Sequence, residues 1–398
     1  MSETVPFEFH LPSLEEMRST PAGMEMLRMI DDDNFRSALI TGVPGSGKTT
    51  VSIYRLVRLH NQQANAHFLT FQNMLVLVIR NLAKGLKVPD SSVSTFHKWY
   101  WLHTGVGFGN NNIPPTTEEI VASLDLKALA DSGLDEILID EGQDLPLCVY
   151  EAVPRYAKRC FVGADKNQQV HHLGAGEMQI AELLENEFAP YRRFALGQNF
   201  RNTYETYRFA RQFIPRKNLV AWNPVIIERL LQANRRGPKT TVITYRDTTV
   251  RNAHFRTTLD NAEGNVAILC PLGPLPRYGH NSGDSVDEIY ELVTGMGFPA
   301  TMYRNGAEVP KILERYVVTT FISAKGMEFD TVIIPRINFW KMIPEEWYVA
   351  CTRAQGRLFV YRDLSNPQCD LIAQFESDTY ESISLEPAPL FTTNSDLF

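Results

Sequence analysis

The segment from Gly42 to Thr49, GVPGSGKT, limits the possible folds of this chain more than any other stretch. It follows the short apolar run SALIT and opens a helical pattern, TTVSIYRLVRL. A strand, a glycine-rich loop and a helix in this order form a phosphate-binding loop, in which glycines let backbone N–H groups turn toward a phosphate. The helix N-terminus adds a favourable dipole. The sequence therefore predicts a nucleotide site in a parallel α/β domain rather than a coincidental glycine turn.

The order of residues in this loop assigns roles to its side chains. Lys48 is expected to reach the β- and γ-phosphates, and the Thr49 hydroxyl is expected to bind Mg²⁺. ATP and Mg²⁺ are therefore the expected cofactors. The residues predicted to contact the nucleotide in this segment are Gly42, Pro44, Gly45, Ser46, Gly47, Lys48, Thr49 and Thr50.

Two adjacent acids, Asp140 and Glu141, come at the end of the apolar run EILID. Paired acids are usually surface charge, but a pair that directly follows Ile-Leu-Ile is hard to explain that way. A carboxylate at the tip of a strand beside a phosphate loop can hold Mg²⁺, and its neighbour can polarise the attacking water. We therefore predict that Asp140 binds Mg²⁺ together with Thr49 and that Glu141 activates the water.

Short apolar runs alternate with helical patterns along the chain, which is typical of parallel α/β units. A length of 398 residues favours two domains. We place them at 1–193 and 194–375, with a minimal insertion at about 100–134 and an acidic tail at 376–398. Strands are predicted at 37–41, 66–71, 136–140, 160–163 and 194–196, and then at 241–245, 266–270, 300–303, 316–320, 331–335 and 358–361.

Composition narrows the class of protein. The formal charge of −7 argues against binding of a polyanion by the whole surface, although it is compatible with a local basic groove. Five cysteines are scattered without a CxxC or a histidine at metal-ligand spacing, which favours reduced thiols. The N-terminus lacks the apolar core of a signal peptide, and no apolar run approaches the ~20 residues that span a bilayer. We therefore expect a cytoplasmic protein without a membrane partner.

Five further segments follow the phosphate loop: DEGQD at 140–144, DKNQ at 165–168, QNFRN at 198–202, TFISAKGMEFD at 320–330 and YVACTRA at 348–354. With these motifs in this order, the sequence from about residue 37 to residue 361 resembles superfamily 1 DNA helicases of the UvrD/Rep/PcrA type. The corresponding family motifs include DExQD, QNYRS, TxHxxKGLEF and YVALTRA. The resemblance implies two RecA-like P-loop NTPase domains with parallel sheets and an ATP site at their interface.

The same resemblance implies roles for side chains beyond the loop. Gln168 would sense the γ-phosphate, Arg201 would touch it from the second domain, and Arg353 would act as an arginine finger. Phe200 would stack on the base and Glu328 would lie near the ribose. The implied nucleotide contacts outside the loop are Phe200, Arg201, Gly326, Glu328 and Arg353, and the implied catalytic set is Lys48, Asp140, Glu141, Gln168, Arg201 and Arg353. Because the cations come from two domains, hydrolysis would require the domains to close.

Two segments resemble family motifs that face single-stranded DNA, LTFQN at 69–73 and TFHK at 95–98. Core packing is the alternative interpretation of their aromatic side chains. The nearby Trp99 and Trp101 are interpreted as packing residues. The predicted DNA contacts are Thr70, Phe71, Asn73, Thr95, Phe96, His97, His171, His172 and Ser323.

The sequence departs from the family where DNA would be gripped. Leu173 stands where the family has an aromatic residue that stacks between bases, and Ile322 stands where it has a histidine. Base stacking contributes ~1–3 kcal/mol per base, so these changes are expected to weaken or alter the grip. Short spacings leave no room for large 1B and 2B accessory insertions. The first glutamine is Gln62, so the family's N-terminal adenine-reading glutamine has no counterpart.

Two functions fit these observations. The first is a compact ATPase of the DNA helicase type that moves on single-stranded DNA, or on DNA with single-stranded ends, with the 3′ to 5′ direction that the resemblance implies. The second is an ATP-driven regulatory or assembly subunit that switches a partner such as a nuclease, in DNA repair or anti-phage defence, with little unwinding of its own. RNA in place of DNA is a further alternative, since no sequence motif indicates contacts to the 2′-OH that distinguishes RNA from DNA.

Overall fold

The computed structural model describes residues 11–109, 113–125, 133–169, 173–218, 221–271, 284–304, 307, 310–338, 343–365 and 370–385. The strands found there form two sheets in which neighbouring strands run parallel. The predicted fold class, α/β with two parallel sheets, is confirmed. No helix within these ranges is both long and apolar enough to span a bilayer.

The first sheet has the strand order β3-β2-β4-β5-β1-β6. Its strands are β1 (Ser37–Gly42), β2 (Ala66–Thr70), β3 (Val93–Thr95), β4 (Glu136–Asp140), β5 (Arg159–Ala164) and β6 (Tyr191–Leu196). Its helices are α1 (Leu14–Arg18), α2 (Pro21–Asp31), α3 (Lys48–Asn61), α4 (Asn73–Gly85), α5 (Phe96–Thr104), α6 (Thr117–Asp125), α7 (Leu147–Ala152) and α8 (Glu177–Glu187). Helices cover both faces, so a central strand such as β4 is buried along its whole length and apolar at its centre, residues 137–139.

The second sheet has the strand order β13-β7-β12-β11-β8-β10-β9. Its strands are β7 (Thr240–Tyr245), β8 (Val266–Cys270), β9 (Ala300–Tyr303), β10 (Tyr316–Thr320), β11 (Phe329–Ile334), β12 (Ala354–Asp363) and β13 (Tyr380–Ser384). The helices of this half are α9 (Tyr204–Ala210), α10 (Pro224–Gln232), α11 (Thr248–Asp260), α12 (Val286–Gly295) and α13 (Pro344–Cys351). Separate apolar clusters again fill the two faces.

Helix α4 is shared between the two halves. Leu75 and Ile79 pack beneath the first sheet. Met74 and Val78 belong to the apolar cluster of the second sheet, where they lie with Phe321 and its neighbours. One helix therefore joins the two cores through two adjacent sides of its surface.

Four details differ from the sequence predictions. Strand β3, at the edge of the first sheet, is absent from the predicted strands. The boundary at residue 193 falls inside β6, which pairs with β1, so the first sheet extends to residue 196. Part of the predicted tail, residues 380–384, is the edge strand β13 beside β7; its residues are mostly exposed, which is why the sequence reads as a solvated segment. Trp99 packs in the core as expected, but Trp101 is 55% exposed, so the packing interpretation of Trp101 is wrong.

A buried ion cluster joins α3 to the first sheet. The Arg55 guanidinium and the Glu136 carboxylate are both fully buried and form a two-pronged contact, with 2.9 Å between Nη2 and Oε2. Arg159 Nε donates to Glu136 Oε2 at 2.8 Å. Because a buried charge is stable only when it is paired, this cluster ties β4 to its neighbours.

We expect Glu136→Gln to destabilise the fold by ~3–5 kcal/mol, because it removes the buried counter-charge of Arg55 and leaves that guanidinium only the 41% exposed Asp33. The measurement is urea unfolding followed by circular dichroism. Lys158→Ala is the matched control: Lys158 pairs with the adjacent Asp135, but its side chain is 73% exposed, so we expect a loss of no more than ~1 kcal/mol. Equal losses in both variants would contradict the importance of burial at Glu136.

Candidate nucleotide site

The loop between β1 and α3 has the backbone shape that its glycines allow. Gly45 and Gly47 have φ values of 72° and 98°, in the left-handed region that favours glycine. A Cβ at Gly45 would lie 2.4 Å from Cβ of Arg201, and one at Gly47 would lie 2.6 Å from Cε of Met26. The loop is therefore compressed against both the QNFRN segment and α2, and glycine is needed at both positions.

Lys48 begins α3 and turns back over the loop. Its Nζ donates to the carbonyl oxygens of Gly42 and Val43, at 2.8 and 3.2 Å, and lies 3.8 Å from Oδ2 of Asp165. The side chain is almost entirely buried. A buried ammonium held over a glycine-rich loop places a positive charge where a phosphate would bind.

Thr49 and Asp140 meet across the site, with the threonine hydroxyl donating to Asp140 Oδ2 at 2.7 Å. Burial, and then the negative charge of Glu141, raise the pKa of Asp140 to about 7. A hydroxyl oxygen and a carboxylate oxygen are the ligands that Mg²⁺ uses in nucleotide sites, where it keeps water and phosphate oxygens as its other ligands. The two side chains thus fit the predicted metal-binding role.

Glu141 follows β4 in a left-handed conformation, with φ 54°, which is unusual for a residue with a side chain. Gln143 Nε2 donates to its Oε2 at 2.6 Å. Burial acts to raise the pKa of Glu141, but nearby positive charges, Lys325 first among them, hold it below its usual value. The carboxylate is therefore fixed in position and ionised, as a group that activates water must be.

A chain of hydrogen bonds runs from Glu141 to the DKNQ segment. Gln143 Oε1 accepts from the backbone N–H of Asp165 at 3.0 Å. Gln168 Nε2 donates to Asp165 Oδ2 at 2.7 Å. All of these groups are buried, so the orientation of Gln168 is tied to that of Glu141.

Two cations of the second half reach into this network. Lys325 Nζ donates to both carboxylate oxygens of Asp144, at 2.8 and 2.7 Å, and also to the backbone carbonyl of Gln168. Arg353 Nη2 donates to Oε1 of Gln168 at 2.6 Å. Burial, and then the charge of Arg201, lower the pKa of Arg353 to about 9. Gln168 is thus one of the residues through which both halves of the chain meet.

The QNFRN segment forms the other wall of the site. Asn199 Oδ1 accepts from the backbone N–H groups of Arg201 and Asn202, at 2.9 and 3.0 Å. Arg201 Nε donates to Glu328 Oε2 at 2.8 Å. The backbone N–H of Phe200 donates to the Gly45 carbonyl at 2.7 Å. The QNFRN segment is therefore hydrogen-bonded to the phosphate loop on one side and to the KGMEF segment on the other.

These walls enclose a cavity of about 460 Å³. Ten predicted nucleotide-site residues line it, namely Gly45, Ser46, Gly47, Lys48, Thr49, Thr50, Phe200, Arg201, Gly326 and Glu328, as do Glu141 and Gln168. Gly42, Pro44, Asp140 and Arg353 do not line it, although Asp140 and Arg353 contact residues that do. The assigned roles remain predictions, but the residues lie together.

Sequence reasoning missed one wall of the cavity. It is formed by α1, α2 and the residues around them, together with Arg235 and Gln355; these N-terminal lining residues are Pro12, Glu16, Met17, Ser19, Thr20, Gly23 and Met26. The only sequence signal available was a Ser13–Glu16 capping box before α1, which marks a helix start but no ligand.

The structure places several predicted DNA contacts inside the protein. Phe96 is fully buried in an apolar cluster, and Ser323 is fully buried and hydrogen-bonded to Thr320. Thr70 is also fully buried, and the Thr95 hydroxyl accepts from the N–H of Lys98 as the cap of α5. These four side chains are buried in the structure and have partners within the chain, and their contact with DNA stays a prediction.

The remaining candidates lie at the surface. Asn73 is exposed, and the rings of Phe71, His97 and Phe108 form a row with successive centroid distances of 5.4 Å. Leu173 is 53% exposed. His171 and His172 lie outside the described residues. Sequence analysis did not single out Phe108, since a lone phenylalanine in a glycine-rich loop carries no motif.

Comparisons with known proteins give similarity at the level of structure. No protein-family model and no curated protein sequence matches the chain. Arterivirus nonstructural protein 10, a helicase, is 14% identical to this chain, with a TM-score of 0.41. The match covers 88% of this chain and 64% of the arterivirus protein. The Pif1 helicase from Candida albicans is 10% identical, with a TM-score of 0.46. The match covers 84% of this chain and 93% of the Pif1 chain. The arterivirus helicase in a complex with DNA is 14% identical, with a TM-score of 0.40. That match covers 90% of this chain and 67% of the helicase chain. This chain therefore spans just under two thirds of the first of these proteins, and at such identities the similarity assigns it no activity.

Proposed function

We propose that this chain is an ATP-driven motor of the helicase type, which hydrolyses ATP and moves on single-stranded DNA from 3′ to 5′. The observation that carries the proposal is the arrangement of cations around one cavity. Lys48 belongs to the first half of the chain, Arg201 lines the opposite wall, and Arg353 of the second half holds Gln168. Phosphoryl transfer requires mainly positioning and neutralisation of charge, and these side chains supply both.

The residues suggest how the site would work. Thr49 and Asp140 would hold Mg²⁺, which neutralises phosphate charge when it is bound. Glu141 would accept a proton from the attacking water while Gln143 fixes its carboxylate. Gln168 bonds to Asp165 on one side and to Arg353 on the other, so a change at the γ-phosphate would reach both halves. Hydrolysis would then be coupled to relative motion of the halves.

The experiment that tests this function is steady-state ATP hydrolysis with and without single-stranded DNA, across a range of salt concentrations. We expect DNA to stimulate hydrolysis several-fold and the stimulation to fade as salt rises, because phosphate contacts release counterions. A parallel titration with oligo-U tests whether RNA serves equally well. A strand-displacement assay on substrates with 3′ or 5′ single-stranded ends tests the direction.

A second function is favoured by Leu173, whose exposed side chain offers no aromatic face for stacking. In that case ATP-driven closure would switch a partner, such as a nuclease in a repair or defence complex, and the chain would unwind little DNA alone. The same hydrolysis experiment separates the two functions. Low turnover that single-stranded DNA does not change would support the regulatory role and contradict the autonomous motor.

A further inference from the structure

A strongly basic segment interrupts this otherwise acidic chain. Residues 201–240 contain nine lysines and arginines against two acidic residues, a formal charge of +7 in a protein of −7. Part of this charge is needed at the cavity, where Arg201 and Arg235 lie. Another part is concentrated just beyond α9, and we call Arg208, Arg211, Arg216, Lys217 and Trp222 the basic surface.

The basic surface is built around one indole ring. The Arg211 guanidinium lies 4.5 Å from the centroid of Trp222, and that of Arg216 lies 5.1 Å from it. Trp222 is half-buried, with its Nε1 donating to the Ile214 carbonyl at 2.7 Å, so the ring is fixed. The buried Nε of Arg211 has no hydrogen-bond partner among the residues that the structure describes. Two cations around one partly exposed ring attract an anion and resemble the platforms that bind single-stranded nucleic acid.

Acidic residues from the C-terminal part of the chain already lie on this surface. Asp378 Oδ2 accepts from Arg208 Nη2 at 2.9 Å, and Glu376 Oε1 accepts from Arg216 Nη2 at 2.6 Å. The Arg216 side chain is 75% exposed and that of Asp378 is 64% exposed. Exposed ion pairs of this kind are weak and are screened by salt, so another anion can displace them.

The position of the basic surface relates it to the nucleotide site. Asn218, directly after Lys217, donates from Nδ2 to Oδ1 of Asn167 at 2.5 Å. Asn167 precedes Gln168, the residue that contacts both halves of the site. The surface therefore lies beside the DKNQ segment, which ends at Gln168.

We propose that the basic surface binds the phosphates of single-stranded DNA, and that Glu376 and Asp378 compete with the DNA for it. This proposal rests on the proposed function, since it assigns a track-binding surface to the same motor. It supplies cations for phosphate contacts and one partly exposed aromatic ring. It also gives the acidic segment before β13 a role as an internal competitor.

The test measures binding of a fluorescently labelled oligo-dT strand to the full chain by anisotropy, without nucleotide, across a range of salt. We expect Arg216→Ala to weaken binding about 3–10-fold and to reduce the salt slope by about 0.7, the value for one lost phosphate contact on a single strand. The double variant Glu376→Gln/Asp378→Asn should tighten binding about 3–10-fold, since the competing charges are gone. Arg256→Ala, on α11, removes a comparably exposed arginine elsewhere and should leave binding unchanged.

Other results would overturn the proposal. Wild-type affinity and slope in both the Arg216 variant and the double variant would mean that the ion pairs only anchor β13, and weaker binding by the double variant would exclude competition. Absence of oligo-dT binding by the unaltered chain would also refute it. Thermal unfolding verifies that each variant is folded, and Arg216→Ala decides the matter if the double variant is not. ATP hydrolysis is not part of this readout, so a chain that binds DNA in the expected way but hydrolyses no ATP would disprove only the proposed motor.

Discussion

Lys48→Ala should reduce the turnover number for ATP by about 100-fold or more, because it removes the one ammonium held over the phosphate loop. The measurement is steady-state ATP hydrolysis at saturating single-stranded DNA. Fluorescent-nucleotide binding should show whether affinity falls with the rate. The variant also breaks the buried ion pair between Lys48 and Asp165, so thermal unfolding must verify that it remains folded.

Lys166→Ala is the matched control for Lys48. Lys166 is an exposed lysine in the DKNQ segment, and it does not line the cavity. We expect the Lys166→Ala variant to hydrolyse ATP at the wild-type rate. Wild-type turnover in Lys48→Ala would contradict the assignment of this cavity as an ATPase site, and with it the proposed motor.

Arg353→Ala should reduce the turnover number for ATP by a factor of ~10³–10⁵. This is the typical effect of losing an arginine that neutralises charge in the transition state of phosphoryl transfer. The Michaelis constant for ATP should change much less, because the contact is expected to strengthen only in the transition state. Both constants are measured by varying ATP at saturating DNA.

The control variants for Arg353 separate chemistry from packing. Arg353 is fully buried and also donates to the carbonyl oxygens of Val349 and Met327, so its loss will cost some stability. Arg353→Lys keeps the charge but not the planar fork, and it should recover only a small part of the rate. The side chain of Arg357, four residues later, is 41% exposed, and Arg357→Ala should leave the turnover number unchanged. Equal turnover in Arg353→Ala and Arg357→Ala would exclude the role of a transition-state cation.

Local patterns predicted much of the fold and part of the site. The phosphate loop, the run EILID and the other apolar strands are continuous stretches of sequence whose residue types determine their structure, and each predicted strand overlaps an observed one. Strand β13 was missed because an edge strand buries little and so carries no apolar run. The buried DNA candidates show a further limit, since a motif does not indicate which of its side chains are buried.

The contacts that join the halves could not be predicted from spacing. Lys325 and Asp144 are 181 positions apart, and Arg353 and Gln168 are 185 apart. Each residue alone is more often found on a surface. The wall formed by α1 and α2 was also missed, because the sequences of these helices carry no ligand-binding pattern. Such features depend on how distant elements pack, which periodicity within a segment does not report.

The division of helix α4 between two cores bears on how the protein is made. All strands of the first sheet lie before residue 197, so a ribosome completes that half while most of the second remains unsynthesised. Met74 and Val78, however, pack against residues 317–334 and their neighbours. A nascent chain that ends before β10 therefore exposes an apolar stripe on α4 to solvent, where a chaperone can hold it until the second half emerges.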